Sequence, residues 1–465
     1  MADMEGPNEL SKQETQRAVE SPLPDEVTSR GSPSAAGPRM KPLRLGLKVA
    51  GGLFLLPVLL ISVATIYWDL RSPPSFDTDP ILKLEHWVAV PAGDDPARQH
   101  ASNTDMIHYQ GFFFLIHAQT KWHLEDKRGA LVVQRSADAR KWEEVARITV
   151  PDTDVRDPKF AVIHGRLFLY FLPNLKFDPD PRTTYWSVSD DGITWRTPEE
   201  LVTVTTRHTV DGQAKRATSG GWMLWRPKTR DGKTWYVIAF GRKPAYRNQI
   251  TVLFKTQDGV NWEEVSEVFT AHGNGEPTME FRPDGGIIAT LRCSSLGTSG
   301  YLFGNPTGNT IIASSPPPYA EWSYAHSFIT RLDGATLFAL GKRIFAVGRN
   351  HMGPRIDLGN HFSPKRTAFY EVEKHQLVHL FDLPSTGDTA YTGVVVRGDD
   401  IYASYYTPPI AKEYPWIFAI CYKTKTDIRI AKVSAAGLLE YATRVKRQAR
   451  LEGRGLYRAG REQEE

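Results

Sequence analysis

A turn pattern that occurs three times constrains this chain more than any other feature of its sequence. Each copy has a hydroxyl residue, an Asp two positions later and a Trp four positions after the Asp. The copies are SADARKW (136–142), SDDGITW (189–195) and TQDGVNW (256–262), and residues 315–322 form a degenerate fourth copy. The hydroxyl and the Asp can bond their own turn, while the Trp covers it as a hydrophobic plug. The pattern therefore predicts a structural repeat rather than a catalytic group.

Between these turns the chain alternates short β-type segments with turns rich in Gly, Asp, Asn and Pro. Apolar runs such as FFFLIHA (112–118), TWYVIAF (234–240) and RIFAVGR (343–349) recur along the chain, and no long helical period occurs before about residue 435. Most runs follow a polar start segment and precede another strand and turn. This order favours four-stranded blades over a sandwich, so the sequence predicts an all-β propeller.

The three turns resemble the Asp-box repeats of the sialidase superfamily, and the resemblance covers roughly residues 85–430. It implies a six-bladed β-propeller, with a five-bladed propeller as the alternative. Asp boxes also occur in non-enzymatic propellers, so they support the fold more strongly than an activity. We expect the propeller at residues 83–432 and a charged, partly helical tail at residues 433–465.

The first 82 residues differ in composition from the rest of the chain. Residues 1–45 are rich in Ser, Pro, Glu and Gly, which predicts a disordered tail. Residues 46–68 contain the uncharged run VAGGLFLLPVLLISVATIY, long enough to cross ~30 Å of hydrocarbon as a helix. Residues 69–82 contain three prolines and are predicted to form a linker.

The charges beside the apolar run predict its orientation. Basic residues precede it and Asp69 follows it, so the positive-inside rule places the N-terminus in the cytoplasm. The propeller would then lie in the periplasm, a lumen or the extracellular space. A cleaved secretory signal is the alternative, but the apolar core begins late and no clear A-x-A site follows it.

Composition excludes several classes of function. The formal charge of +4 is small, and much of the basic excess lies near the apolar run and in the C-terminal tail, so nothing indicates a nucleic-acid partner. Cys293 and Cys421 are the only cysteines, which excludes a disulfide-dense scaffold and a multi-cysteine metal site. The sequence leaves their pairing open. We expect a glycan and a membrane as partners, with no cofactor and no metal.

The starts of the innermost strands are the place to search for a site. In a propeller they surround one end of the central axis, so polar residues that are far apart in sequence converge there. The predicted starts are residues 102–105, 156–158, 225–227, 276–277, 334–336 and 387–391.

Four residues at these starts and at strand ends resemble the sialidase site. The run EPTMEFRPDGGIIATLR (276–292) resembles a sialidase Glu that is followed, after an Asp-Gly turn, by an Arg. The resemblance implies that Glu276 is the base partner of the nucleophile and that Arg292 and Arg349 bind the substrate carboxylate. It implies that Tyr391 is the nucleophile. A neutral Tyr avoids the repulsion that a carboxylate nucleophile would meet beside an acidic sugar, and guanidinium groups bind carboxylates bidentately.

The general acid of sialidases lies on a loop before the first Asp box. Here that loop reads KWHLEDK (121–127), so Asp126 is the first candidate, followed by Glu125 and His123.

One position departs from the sialidase pattern. The first blade opens with SNTD (102–105) where sialidases have Arg-Ile-Pro, so one arginine arm is missing. Arg98 and Arg156 are the nearest replacements, although their phase differs, and Arg226 stands at the start of another inner strand. The substrate is therefore expected to be sialic acid or a related acidic sugar.

A rival interpretation uses carboxylates alone. Asp105, Asp157 and Glu276 resemble the three acids of five-bladed glycosidases that act on arabinans and fructans. Closely spaced carboxylates can supply acid and base because each shifts the pKa of the others. The second and third acids should lie in adjacent blades, however, and here the blade that begins at Trp225 intervenes.

Structural alternatives accompany these assignments. Asp157 could cap a turn, Glu276 and Arg292 could form a buried ion pair, and His100, His117 and His123 match no metal-binding spacing. A non-catalytic glycan-binding propeller is the alternative from another class. The joint occurrence of Glu276, Tyr391 and the two arginines favours instead a membrane-anchored, retaining exo-glycosidase.

Overall fold

The computed structural model describes most of the chain between residues 41 and 451. The described ranges are 41–71, 75–76, 78–123, 126–174, 183–201, 203–208, 214–219, 221–243, 245–246, 248–295, 309–352, 363–421 and 425–451. The predicted disordered tail up to residue 40 and the C-terminal tail from residue 452 lie outside them.

Helix α1 (Lys41–Leu70) covers the predicted membrane-spanning segment, and its side chains are described from Leu55 onward. Within the described ranges, no helix combines the length and the apolar character that crossing a membrane requires. The anchor, its orientation and the domain boundaries stay predictions from the sequence. The chain divides into two compact units, Met1–Val63 and Ala64–Glu465, and the second contains all the described strands.

Six sheets form the blades of a propeller, and their strands pair antiparallel except for one strand pair in blade 3. The strands of blade 1 are β2 (His100–Tyr109), β3 (Phe112–Thr120), β4 (Ala130–Ser136) and β5 (Glu143–Ile148). The strands of blade 2 are β6 (Asp154–Ile163), β7 (Arg166–Asn174), β8 (Tyr185–Ser189) and β9 (Glu199–Glu200). The strands of blade 4 are β17 (Gly273–Phe281), β18 (Ile287–Ser295), β19 (Asn309–Ser315) and β20 (Ser323–Ser327). The strands of blade 5 are β21 (Thr336–Leu340), β22 (Arg343–His351), β23 (Lys365–Val372) and β24 (Leu377–Leu383).

Blade 3 carries an addition at its outer edge. Its strands are β12 (Trp222–Leu224), β13 (Lys228–Thr229), β14 (Trp235–Gly241), β15 (Ile250–Thr256) and β16 (Trp262–Phe269). The hairpin of β10 (Thr203–His208) and β11 (Ala214–Ser219) precedes them and joins the sheet through parallel pairing of β10 with β16.

Blade 6 closes the ring with strands from both ends of the propeller. From the axis outward its strands are β25 (Ala390–Arg397), β26 (Asp400–Thr407), β27 (Asp427–Ser434) and β1 (Glu85–Val90). Trp87 of β1 pairs with Ile430 of β27, so the first strand completes the last blade. Such closure protects sheet edges that would otherwise be open. The predicted six-bladed, all-β propeller is confirmed, and the five-bladed alternative is wrong.

Two further helices accompany blade 6. Helix α2 (Trp416–Cys421) lies in the connection between β26 and β27, and α3 (Ala435–Leu451) follows β27. Leu438 of α3 is fully buried in the apolar core that blades 5 and 6 share. Cys293 is buried in β18 whereas Cys421 is exposed, and no disulfide joins the two.

The three repeated turns have the geometry that their spacing predicts. In the second copy, Asp191 Oδ1 accepts the backbone N–H groups of Ile193 at 2.8 Å and Thr194 at 2.7 Å, and the Ser189 hydroxyl at 2.9 Å. The Trp195 indole N–H donates to a carbonyl of the same turn at 3.1 Å. The backbone N–H groups lower the pKa of Asp191 to about 2. Each turn is thus satisfied by its own residues.

The sequence contains another copy of this turn that escaped the prediction. In TRDGKTW (229–235), Asp231 Oδ1 accepts the backbone N–H groups of Lys233 at 2.9 Å and Thr234 at 2.8 Å. It connects β13 to β14, whereas the three predicted copies connect the third strand of a blade to the fourth. In the degenerate copy no Asp is present, and Ser315 donates instead to the carbonyl of Glu321 at 2.5 Å.

Tight contacts at two of these turns join blade 2 to blade 1 and blade 3 to blade 2. A Cβ on Gly192 would lie 2.4 Å from the Phe114 ring, so the blade 2 turn requires glycine to reach blade 1. The Tyr170 hydroxyl of blade 2 donates to the carbonyl of Gly259 in the blade 3 turn at 2.7 Å. The turns therefore pack neighbouring blades against each other.

Candidate active site

Four of the inner strands begin with the same irregularity. In β2, β6, β17 and β25, two bulged residues stand where the partner strand has one, between Ser102 and Asp105, Arg156 and Lys159, Gly275 and Thr278, and Ala390 and Gly393. The first bulged residue has positive φ in every case: Asn103 (53°), Asp157 (50°), Glu276 (44°) and Tyr391 (49°). Positive φ is uncommon outside glycine, and such outliers cluster at functional sites. The four bulges bring these polar side chains to one end of the axis.

Tyr391 and Glu276 form the central contact of the site. The Tyr391 hydroxyl donates to Glu276 Oε1 at 2.6 Å, and Arg292 Nη1 donates to the same oxygen. Glu276 is almost fully buried, while Tyr391 remains partly exposed. A carboxylate held by a guanidinium and a phenol can accept the phenol proton when the phenol oxygen attacks.

A glycine completes this contact. The Gly334 backbone N–H donates to Glu276 Oε2 at 2.7 Å, so both carboxylate oxygens are oriented. Gly334 has a φ of 58°, and a Cβ there would lie 2.7 Å from the Tyr391 ring. A side chain at residue 334 would therefore displace Tyr391.

Tyr391 is held in its neutral form. Burial raises the pKa of Tyr391 well above its ordinary value, and the negative charges of Glu276 and Asp157 raise it further. Arg292 and Arg349 act in the opposite direction. The phenol can therefore react only by passing its proton to a base, and Glu276 is in contact with it.

Arg349 belongs to a second group of side chains beside Tyr391. Its guanidinium carbon lies 5.6 Å from the centre of the Tyr391 ring. Its Nη2 donates to Asp388 Oδ1 at 2.8 Å, and its Nε donates to the Thr389 carbonyl at 2.8 Å. Although burial favours the neutral form, Asp388 and Tyr406 raise the pKa of Arg349 above its ordinary value.

Asp388 has partners from four parts of the chain, of which Arg349 is one. Its Oδ2 accepts the Tyr406 hydroxyl at 2.7 Å and lies 3.0 Å from His123 Nδ1, while its Oδ1 accepts the Trp416 indole N–H at 2.9 Å. Burial alone would raise the pKa of Asp388, but the charges of His123 and Arg349 hold it well below its ordinary value. Asp388 is therefore a buried, ionised carboxylate.

Asp105 and Arg226 lie deeper along the axis. Asp105 Oδ1 accepts from Arg226 Nη2 at 2.6 Å, and Oδ2 accepts the Phe160 backbone N–H at 2.7 Å. Arg226 also donates to the Thr336 hydroxyl at 2.6 Å. Both side chains are buried, and their contacts join blades 1, 2, 3 and 5 as those of a structural ion pair do.

Asp157 and Asn103 form the remaining bulge pair. Asn103 Nδ2 donates to Asp157 Oδ1, and Asp157 remains partly exposed. Lys159 lies behind them with Nζ 4.4 Å from the centre of the Trp225 ring, and burial lowers the pKa of Lys159 to about 8. The blade 1 residue equivalent to Asp157 is thus Asn103, not Asp105.

The other sequence candidates lie around this centre. Asp126 Oδ2 accepts the Lys121 backbone N–H at 2.9 Å, and its Oδ1 accepts the Arg128 backbone N–H at 3.1 Å. Burial raises the pKa of Asp126, but these N–H groups outweigh burial and hold it below the ordinary value. Glu125 lies outside the described residues.

The two arginines proposed as replacements for the missing arm have other partners. Arg156 is buried; its Nε donates to Asp154 Oδ2 at 2.8 Å, and its Nη1 donates to the His123 carbonyl. Arg98 is 60% exposed and pairs loosely with Asp95 at 3.9 Å. The structure thus brings together Tyr391, Glu276, Arg292, Arg349 and Asp157, and leaves Arg98 on the surface. The catalytic and binding roles stay predictions.

One group of side chains has the composition of a metal site. The potential ligand atoms of His100, His123 and Asp388 lie within 4.8 Å of one another. The rings of His100 and His123 are in edge contact, with centroids 5.5 Å apart. Arg349, which already pairs with Asp388, would lie close to any cation bound there.

Two residues of the site, Asn103 and Asp388, were not predicted from the sequence, although both lie in predicted strand starts. The bulge positions would have identified Asn103, because Asp-Pro at 157–158 and Glu-Pro at 276–277 align with Asn-Thr at 103–104. Asp388 carries no such signal, because its partners come from the β3–β4 loop, β22, β26 and α2.

Several solved structures are similar to this chain. A Trypanosoma rangeli sialidase in complex with the inhibitor DANA has 12% identity and a TM-score of 0.55, over 80% of this chain and 63% of that one. A Penicillium chrysogenum α-L-arabinanase complexed with arabinobiose has 14% identity and a TM-score of 0.53, over 78% and 99%. A phage phi92 endosialidase has 10% identity and a TM-score of 0.53, over 78% and 71%.

No protein-family model matches the sequence, and no curated relative does. At these identities the likeness shows the fold alone. The chain spans less than two thirds of the length of the sialidase.

Proposed function

We propose that this protein is a retaining glycoside hydrolase that removes a terminal sugar, with Tyr391 as nucleophile and Glu276 as its base. The observation that carries the proposal is the 2.6 Å hydrogen bond from the Tyr391 hydroxyl to Glu276 Oε1. The Tyr391 oxygen attacks the anomeric carbon while its proton passes to Glu276, the glycosidic bond breaks and the aglycone leaves as an alcohol after taking a proton from a general acid. Water then hydrolyses the glycosyl-tyrosine, and the proton returns to the phenol.

The proposed substrate is sialic acid or a related acidic sugar. Arg292 is 16% exposed beside Glu276, and Arg349 lies against the Tyr391 ring. Two guanidinium groups beside a neutral nucleophile suit a sugar that carries a carboxylate next to the anomeric carbon. Since SNTD (102–105) stands where sialidases have Arg-Ile-Pro, the acidic sugar would be held by fewer charges than in sialidases.

The carboxylate-only alternative has less support. It needs Asp105, whose two oxygens already accept from Arg226 and from backbone N–H groups of Met106 and Phe160. The non-catalytic alternative needs no reactive pair, and the neutral phenol in contact with a buried carboxylate speaks against it.

The proposal includes a membrane anchor, for which the support is the apolar run within residues 46–68. The propeller would lie outside the cytoplasm. Protease digestion of intact cells or vesicles should remove the propeller from outside while leaving the N-terminal tail protected. Digestion only after lysis would contradict this orientation.

The activity test uses a panel of glycosides with the full-length protein. Aryl glycosides of sialic acid, related keto-acids, arabinofuranose and fructose are incubated, and the anomer first released is identified by NMR. We expect turnover of an acidic sugar with retention of configuration. Turnover of arabinofuranosides or fructosides alone would favour the carboxylate alternative.

A matched variant separates the nucleophile from its surroundings. Tyr391→Phe removes only the hydroxyl, so we expect kcat to fall by more than about a thousandfold while the fold is retained. Tyr402→Phe, in the neighbouring strand, is the control and should keep kcat within about twofold. An active Tyr391→Phe variant would contradict the tyrosine mechanism.

A further inference from the structure

His123 lies on the loop between β3 and β4 and faces the site through Asp388. Its Nδ1 is 3.0 Å from Asp388 Oδ2, and 19% of its side chain is exposed. Nδ1 is therefore at ion-pair distance from the buried carboxylate, and Nε2 is the ring nitrogen that we assign to the substrate. A carboxylate in this position fixes the ring orientation and balances the charge of an imidazolium.

Asp388 links His123 to the proposed nucleophile. It accepts the Tyr406 hydroxyl at 2.7 Å and Arg349 Nη2 at 2.8 Å. Both partners contact Tyr391: the Tyr406 ring centroid is 6.3 Å from that of Tyr391, and the guanidinium carbon of Arg349 is 5.6 Å from it. His123 and Tyr391 therefore belong to one contiguous group of side chains.

Hydrogen bonds hold the described residues of this loop on both sides of residues 124–125. Arg156 Nη1 donates to the His123 carbonyl, and Arg156 is itself paired with Asp154. Asp126 accepts hydrogen bonds from the backbone N–H groups of Lys121 and Arg128, and so connects the two ends of the loop. Arg156 and Asp126 thus act here as positioning residues, and the carboxylate of Asp126 is committed to its own turn.

We infer that His123, oriented by Asp388, is the general acid and base of the glycoside hydrolysis. This inference rests on the proposed function. In the first step the His123 imidazolium gives its Nε2 proton to the glycosidic oxygen while that oxygen leaves the anomeric carbon. Tyr391 forms the new bond to this carbon, its proton moves to Glu276, and the aglycone departs as a neutral alcohol.

The second step restores every group. Neutral His123 takes a proton from water as the water oxygen attacks the anomeric carbon. The bond from the sugar to Tyr391 breaks, the phenolate regains the proton held by Glu276, and the sugar is released. Protons and charges balance over the cycle without any co-reactant other than water.

The leaving group provides the test. A general acid matters for a basic leaving group and little for an activated one, because the latter departs without protonation. With the full-length protein, His123→Gln should lower kcat/KM by at least about a hundredfold on an alkyl glycoside of the sugar found in the panel. On the 2,4-dinitrophenyl glycoside the loss should stay below about fivefold.

A further readout separates catalysis from a structural role. Because the second step lacks its base, kcat on the activated substrate should fall in His123→Gln; added azide needs no base, so it should restore kcat and give a glycosyl azide. His164→Gln, the same substitution at an exposed hairpin of blade 2, should leave both substrates unaffected.

Several results would overturn the inference. Equal losses of kcat/KM on both glycosides, without rescue by azide, would make His123 structural. If kcat/KM falls on the alkyl glycoside but not on the activated one in Asp126→Asn or Asp157→Asn, and not in His123→Gln, that aspartate is the general acid instead. Loss of activity with a chelator and recovery with Zn²⁺ would make His100, His123 and Asp388 a metal site.

Failure of the inference is distinguishable from failure of the proposed function. If Tyr391→Phe abolishes turnover but His123→Gln behaves as the wild type, only the acid assignment fails. If Tyr391→Phe remains active, the proposed mechanism fails whatever His123 does.

Discussion

The repeated turns and the end of the axis both depend on ordered carboxylates, but they obtain their partners differently. In the turn at 189–195, every hydrogen-bond partner of Asp191 lies within three residues. At the axis, Glu276 and Tyr391 are 115 residues apart, and Asp105 and Arg226 are 121 apart. The turns can therefore form with their own blade, whereas the site exists only when the six blades have closed.

This difference predicts which substitutions affect activity and which affect only stability. Carboxylates at the axis are buried against arginines, which for Asp105 and Asp388 come from other blades. Their loss therefore leaves a buried charge uncompensated. Carboxylates in the turns accept local backbone N–H groups at the surface, so their loss has a small and local effect.

The largest effect is expected at Glu276. Glu276→Gln removes the proton acceptor of Tyr391, and kcat/KM should fall by roughly 10²–10⁴-fold. Glu280→Gln is the matched control, because Glu280 lies on the same strand and pairs with Lys228 instead. Steady-state kinetics on the best aryl glycoside measures both. A loss of kcat/KM below tenfold in Glu276→Gln would mean that Glu276 contributes no more to catalysis than the control Glu280, and would contradict the prediction.

The next effect concerns stability. Asp388→Asn removes the charge that faces Arg349, so the free energy of unfolding should drop by about 3–5 kcal/mol. Asp284→Asn, at an exposed turn, should change it by less than about 0.5 kcal/mol. Urea denaturation followed by tryptophan fluorescence measures the change. Equal values for the two variants would show that Asp388 is not an essential buried counter-charge.

An intermediate effect is expected from a buried histidine between the two regions. Burial lowers the pKa of His117 in β3 to about 4, below its ordinary value of 6.5. The unfolded chain therefore binds a proton that the folded chain does not as the pH falls from 6.5 to 4, and stability is lost over that range. His117→Gln should flatten this part of the stability profile by on the order of 2 kcal/mol, and the exposed His375→Gln should not. Thermal unfolding at several pH values checks it.

The smallest effect is expected in a turn. The pKa of Asp191 is lowered to about 2 by its backbone partners, from an ordinary value of 3.8. Its contribution is therefore present above pH 3.8 and lost as the pH falls toward 2. Asp191→Asn should remove this acid dependence, cost at most about 1 kcal/mol at neutral pH and leave activity unchanged. A loss of activity in this variant would mean that the turn also determines the site.

The difference between local and long-range contacts explains which parts of the structure could be predicted from the sequence. The turns were predictable because hydroxyl, Asp and Trp interact within seven residues, and their phase identified the six strand starts. Tyr391, Glu276 and Arg292 followed from those starts. The copy at 229–235 was overlooked although it has the same spacing, because it lies in a different hairpin of its blade.

The rest of the site required the closed ring. Nothing local distinguishes Asp388 from a turn residue, since its partners are His123, Arg349, Tyr406 and Trp416. Asp105 was a catalytic candidate by type and position, but the bulge moves Asn103 to the axis end and turns Asp105 inward toward Arg226. A one-residue difference in register decides between these two outcomes.

Trapping the covalent intermediate tests the central claim most directly. The full-length protein is incubated with 2,3-difluoro derivatives of sialic acid and of related keto-acids, digested and examined by mass spectrometry. We predict a glycosyl adduct on the peptide that contains Tyr391, and no adduct in Tyr391→Phe. An adduct on Asp157 or Glu276 instead, or turnover of the matching aryl glycoside with inversion of configuration, would contradict the account.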